Sequence, residues 1–138
     1  MSHETTTPGV GQNITDIDAF ELACTELGVE LIKARSRTGY GRRKHACAYK
    51  ICLPANDQRD AYEAGLTKNA DGSYALSMDN YSYRNVLPEV IGRDASRLLP
   101  EYAAQVAKRE FQRKGYTRFR REERTVDGRK RPAIVALG

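Results

Sequence analysis

The spacing of apolar residues along the chain switches between a helical and an extended rhythm, and those switches mark the elements. Ile17, Phe20, Ala23, Cys24 and Leu27 recur at helical spacing and predict a first amphipathic helix. Thr15 or Asp16 can cap it, since a short side-chain oxygen accepts from the unpaired N–H groups of a first turn. Asp18 and Glu21 then lie near the positive end of its dipole, and Gly28 closes it. Val29 to Ile32 reads as a strand. Along His45 to Leu53, His45, Cys47, Tyr49, Ile51 and Leu53 alternate with Ala46, Ala48, Lys50 and Cys52, so one strand with two distinct faces is expected, stopped by Pro54. Ala61–Thr67 and Ser73–Met78 alternate again on either side of Lys68-Asn69-Ala70-Asp71-Gly72, a hairpin signal. A weaker extended segment, His3 to Thr7, precedes a loop rich in Pro and Gly at 8–13.

Tyr83 to Ile91 predicts a short helix or turn interrupted by Pro88 and closed by Gly92. A longer helix follows from about Ser96 to Lys114. Its expected buried stripe is Leu99, Tyr102, Ala103, Val106 and Ala107, with Phe111 near the end. Pro100 is comfortable only in a first turn, so the helix can begin as late as Leu99 or Pro100. Gly115 closes it. A last hairpin joins Tyr116–Val126 to Lys130–Leu137 through Asp127-Gly128, a dipeptide suited to a two-residue turn with positive φ at both positions. Its register is open: Phe119 and Ile134 favour one face, Val135 and Leu137 the other. The expected order is β-α-β-β-β-β-α-α-β-β. That order implies an α+β fold, a mainly antiparallel sheet with two main helices on one face, in a single domain over 1–138.

Charge changes this picture more than composition does. The net charge is +5, but Met1 to Glu30 carries six acids and no Lys or Arg, Leu31 to Lys50 carries seven bases and no acid, and Lys108 to Arg131 carries eleven bases against Glu110, Glu122, Glu123 and Asp127. Signed patches of this kind steer an anionic partner or satisfy one another. No apolar run approaches the roughly 20 residues of a membrane span. Met1 to Gln12 lacks the basic and apolar regions of a secretory signal, which makes the cytoplasm the expected compartment. Three cysteines at irregular spacing, Cys24, Cys47 and Cys52, are expected to be free thiols.

Catalytic and metal-binding patterns are sparse. His45 and Cys47 share a strand face, two residues apart. A zinc site would need His3 and Cys24 to join them by tertiary contact. Asp57, Asp60 and Glu63 sit in a polar loop. Asp79, before Asn80 and Tyr81, is the better acid–base candidate, although an Asp after a strand more often turns the chain. Gly39-Tyr40-Gly41 lacks the third Gly and following helix of a dinucleotide motif. No catalytic, cofactor or metal residue is assigned. The basic segments carry the best functional lead. One is the basic loop at 33–44, with Lys33, Arg35, Arg37, Arg42, Arg43 and Lys44 around Tyr40. The other is the last hairpin, with Arg118, Arg120, Arg121 and Arg124 around Phe119, and Arg129, Lys130 and Arg131 at its tip. Cationic side chains neutralise phosphates, and exposed aromatics stack on bases.

Several short motifs occur in a recognisable order. Met1-Ser2-His3 precedes a helix ending Glu26-Leu27-Gly28. Tyr40-Gly41-Arg42 lies in the basic loop. Tyr62-Glu63-Ala64-Gly65-Leu66 leads to Asp71-Gly72 and then Tyr74-Ala75-Leu76-Ser77-Met78-Asp79-Asn80. Tyr102-Ala103, Lys114-Gly115-Tyr116 and Asp127-Gly128 follow. The set, spanning nearly the whole chain, resembles the hypothetical chloroplast reading-frame thirty-five family of plastids and cyanobacteria, and more closely its bacterial and phage members. The strand Glu4-Thr5-Thr6-Thr7 is more polar than that family's. The resemblance implies the fold and supplies no catalytic residue.

Together these features predict a non-catalytic binding module that contacts nucleic acid, without cofactor and without membrane attachment. The alternatives are a protein–protein adaptor in a host or phage assembly and an enzyme centred on His45, Cys47 and Asp79. The sequence sets no oligomeric state.

Overall fold

The computed structural model describes residues 4–6 and 13–138. It has the expected α+β architecture, built around a five-stranded antiparallel sheet. Strands β1 (Glu4–Thr6), β2 (Glu30–Lys33), β5 (Tyr49–Cys52), β6 (Ala64–Lys68) and β7 (Tyr74–Asp79) lie in the order β1-β7-β6-β5-β2. Most of the loop expected at 8–13, and His3, lie outside the described residues. Helix α1 (Ile17–Glu26) is capped by Asp16, whose Oδ1 accepts from the Ala19 N–H at 3.0 Å. It ends where Gly28, at φ 78°, lets the Val29 N–H return to the Cys24 carbonyl at 3.0 Å.

Ile51, Ala64, Leu66, Leu76 and Met78 line one face of the sheet and pack on Phe20, Ala23 and Cys24 of α1 and on Leu98 and Leu99 of α3 (Leu98–Arg113). The short helix α2 (Leu87–Ile91) adds Leu87 and Ile91 to the same core, with Pro88 in its first turn, where a missing N–H costs nothing. α1 and α3 lie side by side. The final hairpin, β8 (Arg118–Val126) and β9 (Arg129–Leu137), is a separate ribbon packed on α3. Its turn has Asp127 at φ 51° and Gly128 at φ 75°, and it pairs Val126 with Arg129.

Three expectations change. The extended segment at 45–53 is two strands, not one. β4 (Lys44–Ala46) pairs with β3 (Ser36–Thr38), and the chain then crosses at Cys47-Ala48 into β5. The span 33–44 is accordingly not a loop but mostly a small β3–β4 ribbon, turned at Gly39–Arg43 and laid over the outer face of β6. Gly65 makes this possible: a β-carbon there would lie 2.7 Å from Arg37 Cδ. The buried stripe of α3 is also rotated. Leu98, Leu99, Glu101, Ala104 and Gln105 are buried while Ala103 is exposed, because the helix is covered by α1 on one side and by β9 of the final ribbon on another.

Candidate nucleic-acid interface

The register of β8–β9 sorts the hairpin's side chains, since directly opposed residues of an antiparallel pair share a face. One face carries Phe119, Arg121, Glu123 and Thr125 with Ala136, Ile134, Pro132 and Lys130. It is turned to α3: Lys108 Nζ stands 5.4 Å from the Phe119 ring centroid, and Arg121 makes a bidentate contact with Glu101, with Glu26 Oε1 at 3.8 Å. Hydrogen bonding to Glu101 holds the Arg121 guanidinium more firmly charged. Arg121 and Phe119 are therefore engaged with α3, although Arg121 stays partly open to solvent.

The opposite face carries Arg118, Arg120, Arg124, Arg129 and Arg131, all exposed, with Glu122 as its single carboxylate. Glu122 Oε1 sits 2.6 Å from Arg120 and its Oε2 3.4 Å from Arg124, and these arginines pull its carboxyl below the usual range. Arg118, Arg129 and Arg131 make no ion pair among the described residues. The strip between them, Ala133, Val135 and Leu137, is half-buried.

This face continues round the tip into a cavity of about 650 Å³ between the ribbon and the start of α3. Arg129, Lys130 and Arg131 enter it from β9, and Arg93 and Arg97 from the turn before α3. Among the described residues the only carboxylate in its lining is Asp94, which is engaged with Asn80: Asn80 Nδ2 donates to Asp94 Oδ1 at 2.7 Å, and Asp94 N–H donates back at 2.9 Å. Asp94 and Ala95 are consecutive non-glycine residues at positive φ, 53° and 57°. Sequence reasoning missed Arg93 and Arg97, which are isolated in the sequence and join the patch only through this turn. A neighbouring cavity of about 560 Å³ differs in character, because Glu26, Glu101, Glu122 and Glu123 face Arg97, Arg121 and Lys130 there.

The basic segment at 33–44 is divided. Lys33, Arg35, Arg42 and Arg43 are exposed and unpaired among the described residues, and Lys44 Nζ donates to Thr38 Oγ1 at 2.6 Å. Arg37, expected to meet a ligand, is instead 1% exposed. It donates to the Glu63 carbonyl at 3.0 Å and to Ser77 Oγ at 3.3 Å, with Asp79 Oδ2 at 3.9 Å. Tyr40 is half-buried, edge-on to Tyr62 and Tyr81. Its N–H donates to Asp79 Oδ2 at 3.1 Å. A β-carbon on Gly39 would lie 2.8 Å from Asp79 Oδ2 and 2.9 Å from His45 Nε2, so the imidazole and the carboxylate both crowd this bare backbone.

Cys47 is not part of that contact. Its Sγ lies 3.5 Å from the Ala34 carbonyl, and burial pushes its thiol up. Cys24, on the core face of α1, is pushed up to about 12 by burial. No cluster of three or more His, Cys, Asp or Glu able to hold a metal occurs among the described residues, and His3 lies outside them. None of the described helices is long and apolar enough to cross a membrane. Comparison with family models, curated proteins and solved structures finds no match for this chain.

Proposed function

We propose that the chain is a non-catalytic module of the cytoplasm that binds the phosphate backbone of nucleic acid along the outer face of the β8–β9 ribbon. The observation that carries this reading is the placement of five arginines on one exposed ribbon face with one carboxylate, continuous with a cavity lined by five cations. Guanidinium groups in this density neutralise phosphates and release counterions. A two-stranded ribbon pinned to a helix presents them with little ordering left to do on binding. The resemblance to the plastid and cyanobacterial family is part of the same proposal and assigns no further role.

Fluorescence anisotropy of labelled single-stranded and duplex oligonucleotides over a range of salt tests it. Association should weaken steeply with salt, and a triple Arg118→Ser, Arg129→Ser, Arg131→Ser variant should lower the slope of log K against log salt by roughly 2. These side chains carry no ion pair among the described residues, so the variant should keep its fold. Salt-independent association, or an unchanged variant, would sink the proposal.

A further inference from the structure

A second site lies on the other side of the five-stranded sheet, where the β3–β4 ribbon covers its outer face. A cavity of about 260 Å³ is lined there by Thr38, Arg42, Asp60, Tyr62 and Arg84, with Gly41 in the turn. It is assembled from three separate stretches of chain, and a buried polar network ties them together. Asn85 is 4% exposed; its Oδ1 accepts from the Tyr62 N–H at 2.9 Å, and its Nδ2 donates to the carbonyls of Asp79 and Tyr81 at 3.2 and 2.9 Å. Asp79 holds the Tyr40 N–H, and Glu63 Oε1 accepts from the Thr38 N–H at 2.8 Å. Buried polar groups of this kind contribute little net stability over apolar packing, whereas they fix one geometry.

That geometry sets two guanidinium groups at one opening. Arg42 and Arg84 both sit at positive φ, 60° and 52°, a conformation that a β-carbon disfavours. Both are exposed, and neither pairs with a carboxylate among the described residues. At the rim, outside the cavity's lining, Tyr81 and Tyr83 are 38% and 61% exposed, and Arg84 already stands 5.6 Å from the Tyr83 ring centroid. Two unpaired arginines next to accessible aromatic rings match the two halves of a nucleotide. We infer that this pocket binds a single nucleotide unit. Its phosphate lies between Arg42 and Arg84, its base rests on Tyr81 and Tyr83, and Asp60 accepts from a sugar hydroxyl. The site shares no residue with the β8–β9 ribbon, so it stands or falls independently of that face.

The unit is either a free nucleotide or one residue of a strand, and amide NMR titrations separate the two. A 5′-nucleoside monophosphate should give saturable shifts at Gly41, Arg42, Tyr62 and Arg84, with the parent nucleoside and inorganic phosphate each about tenfold weaker. A 5′-phosphorylated pentanucleotide that moves the same amides with higher affinity assigns the strand; equal or lower affinity assigns the free nucleotide. Arg42→Gly and Arg84→Gly keep the positive φ while removing the guanidinium, and each should weaken binding about fivefold or more. The ribbon triple variant should bind the monophosphate unchanged. Overturning results are no saturable shift, equal binding of phosphate and nucleotide, or glycine variants that bind as the parent does.

Discussion

Arg37 and Asp79 meet beneath the basic turn at 3.9 Å, with side chains 1% and 3% exposed. The distance is too long for a hydrogen bond, and the stronger bonds of the pair go elsewhere: Arg37 to Glu63 O and Ser77 Oγ, Asp79 to the Tyr40 N–H. The pair therefore acts as a clasp between the β3–β4 ribbon and the end of β7. Removing one member of a buried pair strands the other. Arg37→Ala should destabilise the chain by about 3–5 kcal/mol. Asp79→Asn keeps an acceptor for Tyr40 and should cost about 1–3 kcal/mol. Urea denaturation of the two variants checks the order; an Arg37→Ala chain as stable as the parent would show that the pair is no clasp.

The arginines of β8 should differ sharply in their effect on stability. Arg121 is 42% exposed but meets Glu101, which is 3% exposed. Among the described residues Arg121→Ala leaves that carboxylate buried with only Gln105 Nε2, at 3.2 Å, and should cost about 1–3 kcal/mol after allowance for solvent at the guanidinium. Arg120 and its partner Glu122 are 60% and 31% exposed, so Arg120→Ala should cost under about 1 kcal/mol. Thermal or urea unfolding of both variants distinguishes a packing arginine from a surface one.

Cys24 makes stability depend on alkaline pH. Its thiol is raised from 9.0 to about 12 in the folded chain, because burial disfavours the thiolate. The neutral thiol's contribution is fully present below pH 9. It is lost as pH rises through the window between 9 and about 12, where the unfolded chain ionises and the folded one does not. The loss attributable to this group should be about 1.4 kcal/mol at pH 10. Denaturation curves at pH 8 and pH 10 should differ by that much more in the parent than in Cys24→Ala. The same thiol should resist alkylation until the chain unfolds.

Asp16 caps α1 and also answers Arg109. Arg109 Nε lies 3.0 Å from Asp16 Oδ2 but off the line of its N–H, so this contact is an ion pair and not a hydrogen bond. Asp16→Ala should lose the cap and cost about 1–2 kcal/mol, while Asp16→Asn keeps the cap and should cost under about 1 kcal/mol. Helix content by circular dichroism during urea titration measures the difference.

Local pattern alone was enough for the helices and most of the strands. Helical spacing from Ile17 to Leu27, closed by Gly28, and the Asp127-Gly128 turn depend on near neighbours, whose physics is written in the residues themselves. The fold class followed from the order of those elements. Tertiary contacts decided the rest. The alternation at 45–53 could not reveal that the chain changes partners at Cys47-Ala48, because both strands share a period of two. Arg37 looked like its basic neighbours until Gly65 gave it room to lie on β6. The five arginines of the ribbon became one face only once the hairpin register was set, and Arg121 became the partner of a buried carboxylate only because Glu101 lies beneath it on α3. A charge reads the same in a sequence wherever it points; its partner, its burial and therefore its role belong to three-dimensional packing.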